Sequence, residues 1–378
     1  MAARRIVIVC GAGYVSGKEI ASLNLARALR DAGHDVAFIV SDWSDGDFPR
    51  RLDEAGFSYR RLRLGFVSMT LTWRAMADTV NQARYWPALA LGYRRAIRRF
   101  RADAVVHTNW HHAMLLLPFL RPSCDVYWML ETAARRRRFA WVYGAIAART
   151  AAIVGISQAV GQSLRDIGVP ADCLRIVYLG VPAALMVEPP GLRPVLRLGI
   201  VGQVGAWKGH DDLVDAVALA VRAGATLCLR IFGSGDARYV DSLKRRIAAL
   251  AIGDWIEWRG FRQSQHDIFA GIDVCVMPSR FVEPFGLSAV EAGSYGRPVI
   301  CTARGGLTEI VQDGVTGLVV AAARPDQLAE AIVRLARDRD LLRRMGVAAR
   351  ERARTEFSLE TSARRFARCL PAASAVAS

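Results

Sequence analysis

The segment that best combines reactive side chains with suitable spacing holds two glutamates, Glu283 and Glu291, around a Pro-Phe-Gly turn. It follows an apolar stretch, Asp273–Met277, that is typical of a buried strand. Gly286 would let backbone N–H groups approach an anion where a helix begins, and Glu291 lies one turn beyond Leu287 on that helix. A glutamate pair alone would favour two solvated surface side chains. With this turn between them, the carboxylates are predicted to flank one phosphate-bearing ligand.

Two further glycine-bearing turns follow predicted strands in the same half of the chain. The turn at 201–209 carries Gln203 and Lys208, and the turn at 231–236 carries Gly233. Lysine is rare here, since only three of the 51 basic residues are lysines. A cation at position 208 could neutralise a diphosphate, and a surface lysine is the alternative. Three glycine-bearing turns at strand ends predict one anion-binding rim.

The first glycine-rich turn, Gly11–Glu19, partly matches two nucleotide-binding motifs and fully matches neither. A dinucleotide fingerprint has two residues between its second and third glycines, whereas three separate Gly13 from Gly17. A P-loop requires glycine where Ala12 stands and a hydroxyl residue where Glu19 stands. Two interpretations stay open: a tight strand-to-helix turn, or the close approach of a ligand to bare backbone at a helix N-terminus.

A polar run from His107 to His112 follows the predicted strand Asp103–His107. The spacing of His107 and His111 would suit a metal pair, but no HExxH motif is present and the remaining histidines lie far away in sequence. We therefore expect no metal here. His107 and Asn109 are predicted to line a ligand site at the carboxyl end of the strand, where doubly wound sheets bind ligands.

Alternating strand and helix patterns position all of these turns. They predict an α/β fold of two doubly wound domains facing a cleft. We assign residues 1–182 to the first domain, 183–194 to a linker and 195–355 to the second domain, and we expect 356–378 to form a helix and tail that return toward the first domain. The predicted strands are 6–10, 35–40, 103–107, 125–130, 152–156 and 174–178, then 195–201, 226–232, 255–258, 273–277 and 298–301.

Composition excludes several classes of protein. The chain has 378 residues, of which 52% are hydrophobic and 23% charged, and this excludes general disorder. Its seven cysteines include no CxxC pair, which argues against a disulfide framework or a zinc ribbon and favours a reducing, cytoplasmic setting. No secretory signal is evident. Arg149 interrupts the most apolar stretch, Phe139–Ile156, so no membrane span is predicted.

The net charge of +16 is concentrated in the first half of the chain. Residues 1–182 hold 25 basic and 14 acidic side chains, so this half is predicted to meet an anionic partner. Residues 84–101 are rich in arginine and aromatic residues. A second basic run, Arg135–Arg138, is followed by Phe139, Trp141 and Tyr143. One interpretation is peripheral binding to the anionic inner face of a membrane. The alternative is solvated arginines beside aromatic core residues.

In this order and spacing, the motifs resemble those of the retaining glycosyltransferases of family 4, which have the GT-B fold of two Rossmann-like domains. The resemblance covers nearly the whole chain. Its most specific element is the pair of glutamates separated by seven residues, Glu283 and Glu291. Supporting matches lie at 202–209, 232–235, 259–261 and 314–318, and at the domain crossover, 154–157 and 177–182.

The resemblance implies a role for each site residue. Glu291 would bind the donor ribose, Glu283 would contact the transferred sugar, and Lys208 would hold the diphosphate together with backbone N–H groups. His107 and Asn109 would lie near the acceptor, so the implied catalytic set is Glu283, Lys208, His107 and Asn109. The other implied donor-side residues are Gln203, Gly233, Phe261, Arg262, Phe285, Gly286, Leu287 and Ser288. The implied acceptor-side loop contains Gly13, Gly17, Lys18 and Glu19.

The resemblance also implies a reaction, in which a sugar moves from a nucleotide-diphosphate sugar to an acceptor hydroxyl with α-configuration kept. Gln203 departs from the pattern, because the family often has arginine there, and a glutamine supplies no charge. No metal or other cofactor is expected, and the expected partners are a nucleotide sugar and a glycan or lipid-linked acceptor. Two alternatives are a dinucleotide-dependent oxidoreductase, which would need a proper fingerprint, and a basic nucleic-acid-binding protein, for which no recognised module is present.

Overall fold

The computed structural model describes residues 2–11, 15, 17–65, 73–131, 140–183 and 194–372, with the backbone alone for 73–83. The chain divides into two compact units. The first unit is Met1–Gly180 with Leu359–Ser378, and the second unit is Val181–Ser358. The boundary expected from sequence, at residue 182, differs from this division by two residues. Most of the expected linker, residues 184–193, lies outside the described residues.

The first unit contains a parallel sheet whose seven described strands have the order β3-β2-β1-β4-β5-β6-β7. The strands are β1 (Arg5–Val9), β2 (Asp35–Ser41), β3 (Ser58–Leu62), β4 (Ala104–His107), β5 (Asp125–Met129), β6 (Ala152–Gly155) and β7 (Leu174–Ile176). The helices between them are α1 (Gly17–Asp31), α2 (Asp47–Glu54), α3 (Trp73–Phe100), α4 (Trp110–Leu115), α5 (Ala140–Ala147) and α6 (Gln158–Arg165).

The second unit contains a parallel sheet of six described strands in the order β10-β9-β8-β11-β12-β13. The strands are β8 (Leu196–Val201), β9 (Leu227–Phe232), β10 (Ile256–Gly260), β11 (Val274–Met277), β12 (Val299–Thr302) and β13 (Gly317–Val320). The helices are α7 (His210–Arg222), α8 (Ala237–Ala249), α9 (Gln265–Phe269), α10 (Leu287–Ser294), α11 (Leu307–Ile310), α12 (Pro325–Arg337) and α13 (Arg339–Glu356).

The eleven strands expected from sequence are all present, with ends that shift by one or two residues. Central strands such as β4 and β5 are buried along their whole length, so their sequences are continuously apolar. Two strands were not predicted. The edge strand β3 is largely exposed and reads Ser-Tyr-Arg-Arg-Leu, and the outer strand β13 has four residues and begins with glycine.

A final helix, α14 (Leu359–Cys369), belongs to the first unit although it follows the second unit in sequence. The Phe366 ring packs edge-on against Trp128 of β5, with 5.3 Å between ring centroids. The Arg4 guanidinium donates to the carbonyl oxygens of Ala367 at 2.9 Å and Leu370 at 3.2 Å. The residue that precedes β1 therefore ties the amino-terminal strand to this last helix.

The most apolar stretch of the sequence does not form one long helix. Residues 139–156 include α5 and β6, with Arg149 between them, as predicted. In the part of the chain that the structure describes, no helix is both long and apolar enough to cross a membrane.

Residues 84–100 of the basic segment form the last part of α3, and its arginines and its large apolar side chains differ in exposure. The arginines at 84, 94, 95, 98 and 99 are exposed. Tyr93 and Leu89 are only 4% and 2% exposed, so they belong to the core rather than to a shared basic and aromatic surface, and the membrane-surface interpretation is wrong for these two residues. Trp86 is partly exposed and stacks on Phe119, and its Nε1 donates to the Leu115 carbonyl at 2.9 Å.

The second basic run, Arg135–Arg138 with Phe139, lies outside the described residues. Of the two aromatics that follow it, Trp141 is exposed and Tyr143 is buried in the first unit. Trp141 is therefore the exposed aromatic side chain among the described residues of this segment, and the predicted membrane contact stays a prediction.

Candidate functional site

The candidate site is built on two neighbouring strands at the centre of the second sheet, β8 and β11. The chain order of the sheet reverses between them, and such a switch point leaves a crevice at the carboxyl ends of the strands. The turn after β8 packs directly on the loop after β11. The Arg280 amide donates to the Trp207 carbonyl at 2.9 Å. Gly209 has a φ of +75°, and a Cβ there would lie 1.9 Å from the Pro278 carbonyl oxygen, so no side chain fits.

This packing brings together two residues that the sequence placed on separate turns. The Lys208 ammonium lies 2.7 Å from Glu283 Oε2. The Ser279 hydroxyl donates to the same carboxylate oxygen at 3.2 Å. Both charged side chains are only partly buried, at 26% and 17% exposure, so the pair stays accessible from solvent. Ser279 was not singled out from sequence, although it stands four residues before Glu283 in the same loop.

The backbone around Glu283 is fixed by a second loop, which follows β12. The Gly306 amide donates to the Glu283 carbonyl at 2.9 Å. Gly305 has a φ of +63°, and a Cβ there would lie 2.2 Å from the same carbonyl oxygen. The second loop therefore fixes the backbone of Glu283, while Ser279 and Lys208 hold its carboxylate. The sequence analysis missed Gly305 and Gly306, and their double glycine was the signal that could have found them.

The Pro-Phe-Gly turn leads into α10, whose first residues are Leu287 and Ser288. Amides in the first turn of a helix have no partner within the helix, so they can bind an anion there. Gly286 adopts a φ of +108° immediately before the helix. Phe285 is only 2% exposed and packs against Phe357 at 6.0 Å between ring centroids. A ligand contact by Phe285 would therefore come from its backbone.

Glu291 lies further along α10 and makes a separate contact. The Gln265 side-chain amide, on α9, donates to Glu291 Oε1. Burial raises the pKa of Glu291 to about 7, and the hydrogen bond from Gln265 offsets part of that rise. A carboxylate held in this way has a second oxygen that can accept hydrogen bonds from hydroxyl groups. Gln265 was not predicted, because nothing in its local sequence distinguishes it.

A cavity of about 500 Å³ lies beside these groups, at the carboxyl ends of β8, β9 and β10. Its lining includes Gln203, Gly233, Phe261 and Arg262, four of the residues implied for the donor. The Phe261 ring is 74% exposed, so it offers a free aromatic face. The volume falls in the range of about 300–1,000 Å³ that is usual for small-molecule sites. An aromatic face and a guanidinium beside a cavity of this size suit a planar heterocycle.

In the first unit, the His107 side chain does not line a ligand site as predicted. The ring is completely buried, and Nε2 lies 2.7 Å from Asp125 Oδ1. His107 is the last residue of β4, so its side chain points onto a sheet face, where Tyr93 of α3 also approaches Asp125. The prediction that His107 lines a ligand site is therefore corrected: it is a core residue. Asn109 accepts a hydrogen bond from the His111 amide and caps α4.

The implied acceptor-side loop is described only in part. Gly13 lies outside the described residues, and Gly17 and Lys18 begin α1. The Lys18 ammonium lies 3.4 Å from Glu131. Glu19 is only 4% exposed, so its side chain faces the interior of the first unit. Across the described ranges, no group of three or more His, Cys, Asp or Glu side chains is arranged to hold a metal ion.

Comparison with known proteins finds matches in both units of the chain. A family model described as "Glycosyl transferases group 1" matches residues 196–352, and one described as "Glycosyl transferase 4-like domain" matches residues 16–180. D-inositol 3-phosphate glycosyltransferase of Streptomyces griseus is 31% identical over 281 residues, 62% of this chain and 59% of that protein. A second such protein, from Actinosynnema mirum, is matched over 52% of its length. The chain thus spans little more than half the length of these two relatives.

Two further matches cover more of both chains. The GDP-mannose-dependent alpha-(1-6)-phosphatidylinositol monomannoside mannosyltransferase of Mycobacterium tuberculosis is 29% identical over 306 residues, 72% of this chain and 77% of that protein. Among solved structures, Anabaena HepE in complex with UDP and glucose superposes with a TM-score of 0.77 and 20% identity, over 97% of this chain and 98% of that one. At that identity the structural likeness establishes the fold alone.

The two matched families together cover most of both units, and the fold is that of two Rossmann-like sheets with flanking helices. The chain belongs to the family 4 glycosyltransferases and has the GT-B fold.

Proposed function

We propose that this protein is a retaining glycosyltransferase that moves a sugar from a nucleotide-diphosphate sugar to a hydroxyl group of a glycan or glycolipid. The observation that carries the proposal is the Lys208–Glu283 pair, held on two interlocked turns beside the amino end of α10. It supplies one cation for a diphosphate and one carboxylate for sugar hydroxyls, at the edge where open α/β sheets bind ligands.

In the proposed complex the nucleotide base lies in the 500 Å³ cavity beside Phe261 and Arg262. Glu291 accepts hydrogen bonds from the ribose hydroxyls, since Gln265 occupies only one of its oxygens. The diphosphate binds the amides of Leu287 and Ser288 and the Lys208 ammonium. Binding of the diphosphate would compete with Glu283 for Lys208, so the ion pair opens and frees the Glu283 carboxylate for the transferred sugar.

The proposed chemistry breaks the bond between the anomeric carbon and the diphosphate oxygen. The acceptor hydroxyl attacks the anomeric carbon from the face that the diphosphate leaves, which keeps the α-configuration. The departing phosphate oxygen takes the proton of the acceptor hydroxyl. Lys208 and the amides at the start of α10 stabilise the negative charge that develops on the phosphate. No metal is expected to take part, and this remains a prediction.

The acceptor class is proposed from the names of relatives. One relative is named for inositol 3-phosphate and another for a phosphatidylinositol mannoside. We propose a polar glycan or lipid-linked acceptor and, as the finer statement, a peripheral position at the cytoplasmic face of a membrane. The exposed arginines of α3 support a contact with anionic lipid, each cation contributing about 1 kcal/mol near such a surface. Co-sedimentation with anionic but not neutral liposomes at physiological salt tests this position.

The experiment that tests the transfer itself begins with a panel of nucleotide sugars and nucleoside diphosphates screened for thermal stabilisation. A ligand at about 100 times its dissociation constant adds about 2.7 kcal/mol to the free energy of unfolding. The donors that stabilise the protein are then incubated with glycan and glycolipid acceptors, and nucleoside diphosphate release is measured. A protein that binds no member of the panel, and instead reduces or oxidises substrates with a nicotinamide cofactor, would contradict the proposal.

A further inference from the structure

Arg280 lies in the loop that carries Glu283, and the proposed transfer gives it no part. Its guanidinium donates two parallel hydrogen bonds to Asp212 of α7, from Nε to Oδ2 at 2.8 Å and from Nη2 to Oδ1 at 2.6 Å. The Asp212 side chain is only 8% exposed. Two parallel bonds fix the direction as well as the distance between two groups. The pair therefore holds the loop after β11 against the first turn of α7.

The backbone of the same residue holds the turn that carries Lys208. The Arg280 amide donates to the carbonyl of Trp207, the residue before Lys208, at 2.9 Å. Asp212 stands four residues after Lys208, so the backbone and the side chain of Arg280 bracket Lys208 in sequence. Lys208 ends a short 3₁₀ helix, and α7 begins two residues later. A displacement of the first turn of α7 would therefore carry Lys208 with it.

Other contacts fix the rest of the Glu283 loop from a different side. The Thr302 hydroxyl, at the end of β12, donates to the Ser279 carbonyl at 2.7 Å. The loop after β12 fixes the Glu283 backbone. These two contacts tie the loop to β12 and not to the Lys208 turn. Because Arg280 stands between Ser279 and Glu283, its bridge joins the support of Glu283 to the support of Lys208.

We infer that Arg280 is a positioning residue, whose bridge to Asp212 sets where Lys208 stands during the transfer. The inference rests on the proposed function. In the free protein the ion pair itself holds Lys208 and Glu283 together, at 2.7 Å. Once a diphosphate competes for Lys208, that restraint is lost. The Arg280 bridge then keeps the Lys208 turn in place while negative charge develops on the departing phosphate, and a displacement of about 1 Å can lower a rate by about 100-fold.

The first experiment measures nucleoside diphosphate release by Arg280→Lys and by Asp212→Asn with an accepted donor. Lysine keeps the positive charge, but its single nitrogen cannot reproduce the two parallel bonds. Asparagine keeps the shape of Asp212 and one acceptor oxygen. Each variant is expected to lower kcat by about 10- to 30-fold and to leave KM for the donor within about threefold, because Lys208 acts on charge that develops in the transition state.

A second arginine–aspartate bridge on the same helix supplies the matched control. Arg246 of α8 donates to the two oxygens of Asp215 of α7 at 2.7 and 2.5 Å, and neither residue belongs to the Glu283 loop. Arg246→Lys and Asp215→Asn make the same chemical changes there, and kcat is expected to stay within about threefold of wild type. Thermal unfolding of all four variants separates a loss of stability from a loss of rate.

A double-mutant cycle tests whether Arg280 acts through Lys208. In a Lys208→Ala background, Arg280→Lys is expected to lower kcat by less than about threefold, since the group that it positions is already absent. The same fold loss in both backgrounds would show that Arg280 acts independently of Lys208 and would overturn the inference.

A spectroscopic measurement tests the positioning without donor or turnover. The chain has three lysines, so protein labelled with ¹⁵N-lysine gives three backbone amide signals, and Lys208→Arg identifies that of Lys208. Glu283→Gln removes the ion pair, as a bound diphosphate would. In that background the Lys208 amide signal is expected to stay sharp, to move or broaden when Arg280→Lys is added, and to stay unchanged when Arg246→Lys is added instead.

The outcomes separate this inference from the proposed function. If the wild-type protein transfers no sugar from any donor of the panel, the proposed function fails, and the amide spectra still decide whether Arg280 holds the Lys208 turn. The inference fails if Arg280→Lys leaves the Lys208 amide signal unchanged, or if the Arg246 control lowers kcat as much as Arg280→Lys does. It also fails if folded Arg280→Lys raises KM for the donor and leaves kcat unchanged, because Arg280 would then contribute to donor binding alone.

Discussion

The two units share one architecture and use the ends of their central strands differently. In each, an arginine among the first two residues of the strand where the chain order reverses pairs with an aspartate that immediately precedes the neighbouring strand. Arg5 pairs with Asp103 at 3.0 Å, and Arg197 pairs with Asp273 at 2.7 Å. In both pairs the arginine amide also donates to the same aspartate, at 2.8 and 2.9 Å. The amino ends of the two sheets are thus built alike.

The carboxyl ends differ. In the second unit the polar groups stand in loops beyond the last strand residue, as Lys208 and Glu283 do, and they stay accessible. In the first unit His107 is the last residue of the strand itself, so its side chain turns onto a sheet face and is buried against Asp125. A polar side chain within a buried strand packs in the core, whereas one in the loop a few positions later can bind a ligand. The following predictions test this difference.

The largest effect is expected at the accessible pair. Lys208→Ala and Glu283→Gln should each lower kcat/KM by about 100- to 1,000-fold, because each removes a charge that the proposed transition state uses. The measurement is nucleoside diphosphate release with an accepted donor. Lys244→Ala is the matched control, since Lys244 lies on α8 near the Trp258 ring and away from these turns. Near-wild-type turnover in both site variants would contradict the catalytic assignment.

The next effect concerns the shared clamp. Asp273→Asn should cost about 3 kcal/mol of unfolding free energy, because Arg197 keeps a largely buried charge without its partner. Asp103→Asn should cost less, since Arg5 is 36% exposed and water can replace the carboxylate. Denaturant unfolding of both variants measures the difference. An equal or larger loss for Asp103→Asn would contradict the explanation of the difference by burial of the arginine.

Glu291 gives a smaller effect with a defined pH dependence. Glu291→Ala should weaken binding of nucleoside diphosphate and nucleotide sugar alike by about 1.5–3 kcal/mol. Burial raises the pKa of Glu291 to about 7, and hydroxyl groups donate best to the ionised form. Wild-type affinity should therefore fall about tenfold between pH 8 and pH 6. Calorimetry at the two pH values checks this, and Glu291→Gln should remove the dependence.

The same raised pKa affects stability in the absence of ligand. The folded protein holds the Glu291 proton more tightly than the unfolded chain, whose pKa is near 4.5. The protein should lose stability as pH rises from about 4.5 to about 7, and Glu291→Gln should remove that part of the slope. If chemical denaturation gives identical slopes for the variant and wild type, the carboxylate is solvated rather than buried.

The smallest effect on activity is expected at His107. His107→Asn should destabilise the first unit by about 1–3 kcal/mol, since it leaves the buried Asp125 carboxylate short of a hydrogen bond. It should leave kcat/KM within about threefold of wild type, because the ring does not reach the surface. A large loss of kcat with unchanged thermal stability would restore His107 to the catalytic set.

The sequence predicted the buried strands well, because a strand covered on both faces must be continuously apolar, as β4 and β5 are. It missed β3, whose exposed edge position permits arginines. In the site, Lys208 and Glu283 were found through their glycine-bearing turns. Ser279 and Gln265 were not, since their roles arise from contacts with residues 4 and 26 positions away that local spacing does not mark.

The hydrogen bonds from Arg4 to Ala367 and Leu370 have a consequence for the order of events during protein synthesis. The second unit is one uninterrupted segment, so a ribosome that has passed residue 358 has already supplied everything that this unit contains. The first unit cannot complete its packing until α14 has been translated, although its sheet is translated earlier. We expect the nascent chain to complete its folding in reverse order, second unit first, with α1 and Trp128 uncovered until Phe366 arrives. A stop codon near residue 358 would therefore damage the half of the molecule that was made first.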